Sequence, residues 1–502
     1  MDVIAVCVLL SALAFTSAWW FYSRGYILYY GDAQAHLDIS RGIVDSQTPQ
    51  FDRIGTVWLP LLHVICLPLV RNMALWSNGL AGSIPVALCF IAAGCCFYVA
   101  AKEAYASRLA AAVVLACFAL NPNILYLASI PMTEVVFFAC LALFLFALLR
   151  YRRTQSTYLL ALGVVSSWAM SLTRYDGWFL IPFEAAWFAF FSGARRRLVL
   201  AGFLVLACAA PVWWLAHCWW ETGNALDFYN GPYSAQAIQG GKTYPGFHDW
   251  GTAARFYLSA GELCSGWGLT LIGCTGAACA IAKRVFAPIG LLSLLPVFYV
   301  WSIHSSGLPI HIPELYWPNS YYNTRYGTAV TVLAAFSSGA IALVIPQAKR
   351  KFALALPLLA ILPWLTDPAK ENWICWKESE VNSVARRAWT EQAASFLEKA
   401  RSNGQQILSS SGDVTGIYCR ARIPLAQTLH LGNGPVWEAS SARPDLAHGS
   451  EWAVAQAGDP LSLALHRVPD AYKLEAAIQV PGAPAIEIYQ RHLATHHFHE
   501  NH

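Results

Sequence analysis

The chain has 502 residues, of which 57% are hydrophobic and only 12% are charged, a composition that excludes an ordinary soluble protein. The mean hydropathy is +0.43, and the chain is long enough for many membrane-spanning helices of about 20 apolar residues each. The net charge of +4 is small and dispersed along the chain, which argues against a nucleic-acid partner. The composition therefore indicates a polytopic membrane protein.

Eleven apolar stretches are interpreted as transmembrane helices. They lie at about 3–22, 79–101, 109–121, 132–149, 157–172, 178–193, 198–217, 266–282, 286–303, 327–346 and 352–366. The predicted fold is an all-α polytopic membrane domain over residues 1–366, with a small extracytoplasmic α/β domain over residues 367–502.

Basic residues fix the predicted orientation. Thirteen of them occupy the short alternate connections: Lys102, Arg108, Arg150, Arg152, Arg153, Arg195, Arg196, Arg197, Lys283, Arg284, Lys349, Arg350 and Lys351. By the positive-inside rule these connections and the N-terminus are cytoplasmic, so the C-terminal segment lies outside. The expectation is an integral protein of a bacterial inner membrane, with its first span kept as an uncleaved anchor.

Three regions are predicted to lie outside the membrane. The first outer loop, 23–78, contains an apolar piece at 56–70 that is too short to span and fits a helix at the interface. The second, 218–265, is rich in Gly, Pro and aromatic residues and indicates an irregular lid. The C-terminal region predicts a helix at 378–400, strands at 406–409 and 417–418, and a hairpin from 477–480 and 485–489.

Four cysteines fall on the predicted outer side. Cys218 and Cys264 flank the second loop, and Cys375 and Cys419 lie in the C-terminal domain. Either two disulfides or free buried thiols are consistent with this placement. The terminal histidines, from residue 492 onward, are interpreted as a disordered tail that binds metal only adventitiously.

A carboxylate follows the first predicted span, in Gly31-Asp32-Ala-Gln-Ala-His36. Asp32 lies where a helix would begin, and the apolar positions after it predict a short amphipathic helix along the membrane surface. The N–H groups of a helix start stabilise a carboxylate, which leaves Asp32 ready to accept a proton. His36, four residues on, would share its helix face. The alternative is that Asp32 is a plain N-cap.

Two further motifs place charges where apolar helices begin. Glu134, in Met-Thr-Glu134, opens the fourth span, where a charge at the bilayer centre would cost about 3 kcal/mol and less near the interface. We therefore expect it to have a partner or a function, with stabilisation of the helix start as the alternative. Arg174 and Asp176, in Thr-Arg174-Tyr-Asp176-Gly, lie between the fifth and sixth spans, where they can simply pair with each other.

The tenth span opens with Asn-Thr-Arg325-Tyr326-Gly. Arg325 has no acid within four residues on either side, so a local ion pair does not explain it. An unpaired guanidinium among Tyr and Asn donors suits a lipid phosphate or pyrophosphate. A snorkelling interfacial anchor is the alternative.

These residues together predict one site at one membrane face, with aromatic walls from Trp58, Trp178 and Tyr326. Aromatic faces and carboxylates bind sugars, and arginines bind phosphates, so the predicted donor is a lipid-phosphate sugar. Catalytic roles fall to Asp32 and Glu134, and donor-phosphate contacts to Arg325, Arg174 and Lys242. Substrate contacts fall to five side chains: His36, Trp58, His63, Asp176 and Tyr326.

The order of the motifs resembles the GT-C superfamily of membrane glycosyltransferases, nearest to protein O-mannosyltransferases and lipid A aminoarabinose transferases. Besides those quoted above, the piece Thr-Val-Trp58-Leu-Pro-Leu-Leu-His63 carries the resemblance, which covers about residues 1–366. It implies that Asp32 is the catalytic carboxylate and Glu134 the acid before the fourth span. Many relatives have paired acids in the first loop, whereas Asp32 is followed by Ala33. No cofactor is therefore expected, and a divalent metal is not supported.

The predicted reaction is an inverting transfer from a polyprenyl-phosphate sugar donor. Asp32 accepts the proton of the acceptor hydroxyl while the arginines stabilise the leaving phosphate. The acceptor is a glycan, a lipid or a protein, membrane lipids surround the enzyme, and no nucleic acid takes part. The alternatives are a lipid-linked glycan polymerase or ligase and, less favoured, a lipid or sugar transporter. A transporter should carry ionisable groups near mid-bilayer, and the sequence places its charges at one face.

Overall fold

The computed structural model describes residues 3–447 and 449–492, which are mostly helical. The predicted histidine tail lies outside them except for His492. The α-helices are α1 (Val3–Ser23), α2 (Gly31–Val44), α3 (Leu61–Val70), α4 (Met73–Ser77), α5 (Leu80–Tyr105), α6 (Arg108–Ala119), α7 (Pro122–Leu127), α8 (Thr133–Thr154), α9 (Thr157–Ser171), α10 (Asp176–Phe191), α11 (Arg196–Ala207), α12 (Ala209–Thr222), α13 (Asp227–Asn230), α14 (Ala235–Gln239), α15 (Trp250–Ala282), α16 (Phe286–Ser305), α17 (Thr328–Ser338), α18 (Ile341–Val344), α19 (Leu356–Thr366), α20 (Ile374–Val381), α21 (Val384–Ala400), α22 (Thr415–Arg420), α23 (Pro435–Ala442) and α24 (Pro460–Leu465).

Within the described residues, seven helical segments are long and apolar enough to cross a membrane. They are Val3–Ser23, Leu80–Tyr105, Thr133–Thr154, Gly193–Thr222, Trp250–Ala282, Phe286–Ser305 and Thr324–Val344. Each coincides with a predicted span. The other four predicted spans fall on α6, α9, α10 and α19, which have 12, 15, 16 and 11 residues. The membrane character is therefore supported, while the count of eleven spans stays a prediction.

The chain divides into two compact units. Unit 1 comprises Met1–Ile27, Thr56–Leu62 and Ser83–Val381, and unit 2 comprises Leu28–Gly55, His63–Gly82 and Asn382–His502. The predicted first outer loop therefore contributes to both units, and most of it belongs with the C-terminal residues.

Two short basic connections of unit 1 lie together. Glu103, in the last turn of α5, pairs with Arg150 at 3.0 Å and with Arg153 at 3.2 Å, both near the end of α8. Glu103 therefore neutralises two of the predicted cytoplasmic charges. The connection after α5 and the connection after α8 lie at the same end of unit 1, as the charge pattern predicts.

The second outer loop is more regular than expected. The predicted irregular segment 218–265 contains α13 and α14, and α15 begins at Trp250. Asp249 caps α15 by accepting the N–H groups of Gly251 and Thr252 at 2.9 and 3.2 Å, which stabilises a helix start. The predicted span boundary at 266 corresponds instead to a kink, where Gly266 has φ 72°, a conformation that favours glycine.

Unit 2 contains one mixed sheet in the order β2-β1-β3-β5-β4, formed by β1 (Ile407–Ser409), β2 (Thr428–Leu429), β3 (Trp452–Gln456), β4 (Tyr472–Ile478) and β5 (Ile486–Arg491). β1 is parallel to its two neighbours, β2 and β3. β5 is antiparallel to its two neighbours, β3 and β4. The β4–β5 hairpin and the strand at β1 confirm two predictions.

The alternation of side chains along the strands builds two cores. Ile407, Val454 and Ile488 face α21 and α22, while the neighbouring Leu408 and Tyr489 face α24 on the other side. Successive strand residues point to opposite faces, so apolar residues at consecutive positions require cover on both faces. The result is a three-layer α/β arrangement, in agreement with the predicted small α/β domain.

Three local predictions in this region are wrong. The expected strand at Ile417 and Tyr418 is part of α22, and both side chains are fully buried. The expected single helix from Glu378 to Ala400 is two helices, α20 and α21, separated at Asn382 and Ser383. The expected surface helix α2 is largely buried, including the polar residues of its middle, so it is an internal element of unit 2 rather than an amphipathic surface segment.

Candidate functional site

Unit 1 brings together the beginnings of several helices. Glu134 is in the first turn of α8 and Asp176 in the first turn of α10. Arg325 lies in the 3₁₀ turn Thr324–Gly327 that leads into α17. Helix N-termini carry partial positive charge, so carboxylates in the first turns are stabilised there before any side-chain partner is counted.

These side chains form a continuous ion-pair network. Glu134 Oε1 lies 3.1 Å from Arg174 Nη1 and 3.3 Å from Arg325 Nε. Arg174 Nε also lies 3.3 Å from Asp176 Oδ2, and Arg325 Nη1 lies 3.1 Å from Glu378 Oε1. The five groups alternate in charge. The partner expected for Glu134 is confirmed, as is the suggestion that Arg174 and Asp176 pair with each other.

Glu378, on α20, is the member of the network that sequence reasoning missed. Its carboxylate accepts the backbone N–H of Asn323 at 3.1 Å and of Thr324 at 2.7 Å, and it also accepts the hydroxyl of Thr324. Burial raises the pKa of Glu378, while Arg325 acts in the opposite direction. In the sequence, the one feature that marks Glu378 as a candidate is its position just after the apolar run Trp373-Ile-Cys-Trp376.

Stacked tyrosines form one wall of the network. The ring of Tyr299 lies 5.2 Å from that of Tyr326 and 5.4 Å from that of Tyr257, in stacked geometry. Arg174 and Arg325 both lie 5.1 Å from the centre of the Tyr326 ring, within cation–π distance. Tyr299 donates to Asp176 Oδ2 at 2.5 Å and accepts from Arg174 at 3.1 Å. Tyr326 was predicted as an aromatic wall, and Tyr299 was not.

The interpretation of Arg325 as an unpaired guanidinium is wrong. The side chain is only 6% exposed, and Glu134 and Glu378, both distant in sequence, hold it. The network has three carboxylates and two guanidiniums, so it is not a ready-made anion site. A phosphate could use these guanidiniums only if a carboxylate were protonated or displaced. The assignment of Arg325 to the donor phosphate stays a prediction.

Two other predicted residues of unit 1 lie on connecting segments. Trp58 is half-buried, and its neighbour Leu59 packs on Trp214 and Cys218. Lys242 is exposed between α14 and α15.

An ionisable residue inside a predicted span was also missed. Glu184 is fully buried in the middle of α10, and Ser167 of α9 donates to its Oε2 at 2.5 Å. The expectation that charged groups lie only at one face is therefore wrong. The serine partner satisfies one oxygen and joins the two helices.

Asp32 belongs to unit 2, where it is half-buried in the first turn of α2. The N-cap residue of this helix is Tyr30, so the alternative of Asp32 as a plain N-cap is wrong. Asp32 does lie in the first turn of a helix, as predicted. Whether Asp32 meets the ion-pair network of unit 1 stays a prediction.

Two predicted residues of unit 2 are directly bonded to each other. His36 Nδ1 lies 2.9 Å from His63 Nε2, and the side chains are 4% and 0% exposed. Burial, and then the charge of His36, hold the pKa of His63 well below its ordinary value, so His63 is neutral at pH 7. The pair joins α2 to α3. Its assignment to substrate binding stays a prediction.

Asp38 is a second buried acid on α2 that the sequence did not indicate. Gln34 and the indole of Trp76 donate to its Oδ1 at 2.7 and 3.1 Å. Burial raises the pKa of Asp38 to about 7, although bonds from Thr415, Gln34 and Trp76 oppose that shift. The carboxyl group is therefore protonated in a large fraction of molecules at neutral pH, which reduces the cost of burying it.

The cysteines of the described residues are all free thiols. The suggested disulfide partners are not bonded: Cys218 contacts the carbonyl oxygen of Thr56 at 3.7 Å, and Cys419 that of Trp76 at 3.6 Å. In the described part of the chain, no group of three or more His, Cys, Asp or Glu side chains could hold a metal ion.

Comparison with known proteins identifies the fold. No protein-family model and no curated protein matches the chain. Among solved structures, it is similar to ArnT from Cupriavidus metallidurans in the apo state, with a TM-score of 0.54 and 14% identity over 96% of this chain and 97% of that chain. At this identity the likeness establishes the fold alone.

Proposed function

We propose that the chain is a membrane glycosyltransferase that moves a sugar from a polyprenyl-phosphate donor to an acceptor hydroxyl at the outer membrane face, with inversion. The observation that carries this proposal is the GT-C fold, shared with ArnT over nearly the full length of both chains. Fold alone does not fix activity, so the roles below rest on the residues themselves. The same proposal places the enzyme in a bacterial inner membrane with its site facing outward.

Asp32 is proposed as the general base. It lies in the first turn of α2, where the helix dipole favours negative charge, and a carboxylate in this position can accept the proton of an attacking hydroxyl. Asp32 is followed by Ala33 rather than by a second acid. The proposed step therefore needs no divalent metal or other cofactor.

Glu134 is proposed to orient the cationic side chains around the donor. One carboxylate oxygen holds both Arg174 and Arg325, and within the described residues Oε2 of Glu134 has no hydrogen-bond partner. This second oxygen is buried, and we propose that it accepts a hydrogen bond from a sugar hydroxyl once the donor has opened the site. Contacts with sugar or acceptor are also proposed for Trp58, Asp176 and Tyr326 of unit 1 and for His36 and His63 of unit 2.

The leaving phosphate is proposed to meet Lys242 and Arg174 before Arg325. Lys242 is exposed, and the side chain of Arg174 is 13% exposed against 8% for Arg325. Arg174 and Arg325 are each held by two acids, so the lower exposure of Arg325 makes it the least available of the three. Guanidinium and ammonium groups near the departing phosphate stabilise its growing charge.

The proposal is tested with the full-length protein in nanodiscs. The donor source is the polyprenyl-phosphate sugar fraction of host membranes, and mass spectrometry reads the increment added to the acceptor. We expect Asp32→Asn to lose about 10²-fold or more of its activity, since a general base supplies that much. The matched control is Asp52→Asn, the same change at an exposed acid of the first outer loop, which should retain activity.

Two results would change this assignment. Full activity of a folded Asp32→Asn protein would remove Asp32 from the chemistry. An increment of a whole oligosaccharide, rather than one sugar, would favour the polymerase or ligase alternative.

A further inference from the structure

Unit 2 contains a cavity of about 400 Å³ at the C-terminal end of α2. Its walls come from the last turn of that helix, from the segment that follows it and from the residue after α3: Arg41, Ile43, Val44, Asp45, Pro49 and Arg71. Sites for small molecules typically measure about 300–1,000 Å³, so the cavity is large enough for a ligand. None of the six residues is among the site residues predicted from the sequence.

Arg71 supplies a cation to this cavity. Its side chain is exposed, and in the described part of the chain its guanidinium forms no ion pair, in contrast to Arg325. Its backbone is fixed, because its carbonyl oxygen accepts a hydrogen bond from Arg41 Nη1 at 2.9 Å and the next residue, Asn72, caps α4. An available guanidinium on a fixed backbone suits a phosphate group.

The end of α2 supplies the opposite charge. Asp45 Oδ2 is occupied by Arg41, whose Nε and Nη2 each lie 2.6 Å away. Among the described residues, Asp45 Oδ1 accepts only the N–H of Ala426, at 3.3 Å. The carbonyl groups of Ile43 and Val44 belong to the last turn of α2, where they have no intrahelical donor and carry partial negative charge. This part of the cavity therefore favours a positively charged hydrogen-bond donor.

The exposed side of α3 indicates that the ligand is a lipid. Val64 is 39% exposed, Pro68 is exposed four residues later, and Arg71 follows after three more. Helical spacing thus gives an apolar stripe that ends at a cation. Such a stripe is typical of a helix that lies in the bilayer interface, where a terminal arginine meets the lipid head groups.

We propose that the cavity binds the head group of a zwitterionic glycerophospholipid, with the phosphate on Arg71 and a primary ammonium on Asp45 Oδ1 and the last carbonyl groups of α2. A purely anionic head group would satisfy Arg71 but would bring no cation to Asp45. A trimethylammonium group has the charge but no N–H to donate. A primary ammonium, like that of lysine, has three N–H donors, so ethanolamine is the head group that fits both ends.

A bound lipid would hold unit 2 to the membrane surface. The cavity lies at the end of α2 and beside the end of α3, and Asp45 also contacts Ala426, two residues before β2. Asp32 lies at the other end of α2, so the lipid would fix the helix that carries the proposed base. This binding goes beyond the proposed sugar transfer and does not depend on it.

Native mass spectrometry of the full-length chain in detergent measures the binding. The probes are dioleoyl phosphatidylethanolamine, the matching phosphatidylcholine and phosphatidylglycerol, and O-phosphoethanolamine as the head group without acyl chains. We expect phosphatidylethanolamine to bind about tenfold more tightly than phosphatidylcholine, the effect of one charge-assisted hydrogen bond. Phosphatidylglycerol, which lacks the ammonium group, should also bind more weakly than phosphatidylethanolamine.

A substitution assigns the binding to this cavity. Arg71→Gln removes the cation that meets the phosphate and should lower the affinity for phosphatidylethanolamine about tenfold. Because the side chain is exposed, the variant should fold, and an unchanged Tm checks this. The matched control is Arg467→Gln, the same change at an exposed arginine of unit 2 outside the cavity, which should bind like the wild type.

Three results would overturn the proposal: equal affinity for the three lipids, tighter binding of phosphatidylglycerol than of phosphatidylethanolamine, or wild-type binding by folded Arg71→Gln. Binding of O-phosphoethanolamine as tight as that of the lipid would indicate a soluble ligand and would overturn the lipid assignment. No sugar donor is present in these measurements, so their failure can be distinguished from failure of the Asp32→Asn assay.

Discussion

Replacement of Arg325 by methionine tests whether the ion-pair network is structural. The substitution removes the cation but keeps much of the apolar volume. Among the described residues, Glu378, whose side chain is 1% exposed, then keeps only its hydrogen-bond donors at Asn323 and Thr324. Removing one partner of a buried pair costs about 3–5 kcal/mol. Arg174 still pairs with Glu134, so we expect the lower end, about 3 kcal/mol.

From the size of unit 1, this free-energy cost can be expressed as a fall in melting temperature. The unit has about 330 residues, which gives an unfolding entropy of about 0.7 kcal/mol/K, so Tm should fall by about 4 °C. Tryptophan fluorescence on heating, with the protein in nanodiscs, measures the shift. Glu378→Gln added to Arg325→Met should recover part of the loss, because the remaining acid no longer carries an uncompensated charge.

The matched control is Arg150→Met, at an exposed pair of the same unit. Arg150 lies 3.0 Å from Glu103, closer than Arg325 to Glu378, but its side chain is 47% exposed. Exposed pairs contribute about 0.2–1 kcal/mol, so burial rather than distance should decide the result. A wild-type Tm for Arg325→Met, together with a weaker affinity for donor, would refute the structural reasoning and favour the predicted phosphate role.

Two further predictions follow from burial and close packing. The pKa of Asp38, about 7 in the folded protein against 3.8 for the free side chain, means that its contribution to stability is complete below pH 4 and is lost as the pH rises to about 7. Asp38→Asn should flatten that part of the pH profile of Tm, and an unchanged slope would show that Asp38 does not cause it. Gly177→Ala would bring a methyl group to 2.6 Å from the backbone of Met170, and such overpacking costs about 1–3 kcal/mol. Gly202→Ala meets nothing within 4 Å and should melt like the wild type, so equal melting of both variants would contradict the packing argument.

Features that depend on neighbouring residues could be predicted from the sequence. The starts of α8 and α10 follow from a polar motif that precedes an apolar run, and the β4–β5 hairpin follows from a Pro-Gly turn between two alternating segments. In each case the sequence motif lies within a few residues of the helix start or turn that it predicts. The cap of α15 at Asp249 was an available signal of this kind, and it was missed because the aromatic loop around it was interpreted as irregular.

Features that depend on tertiary packing could not be predicted in the same way. Ile417 and Tyr418 have strand propensity, but α22 buries both in the core on one face of the sheet, and packing overrides intrinsic preference. The polar residues of α2 suggested a surface helix. Gln34 and Trp76 instead satisfy Asp38 inside unit 2, and nothing in α2 alone indicates these partners.

The case of Arg325 shows which inference the sequence did permit. Helical neighbours meet within four residues on either side, and no acid lies that close to Arg325. A guanidinium at the start of an apolar helix is too costly to bury alone, so the absence of a local acid pointed equally to a ligand or to an acid from another helix. Glu134, an acid at another helix start on the same predicted face, was already a candidate for such a partner. The structure places it 3.3 Å away, across 191 positions of sequence. Two unexplained opposite charges on one face of a membrane protein should therefore be tested first against each other.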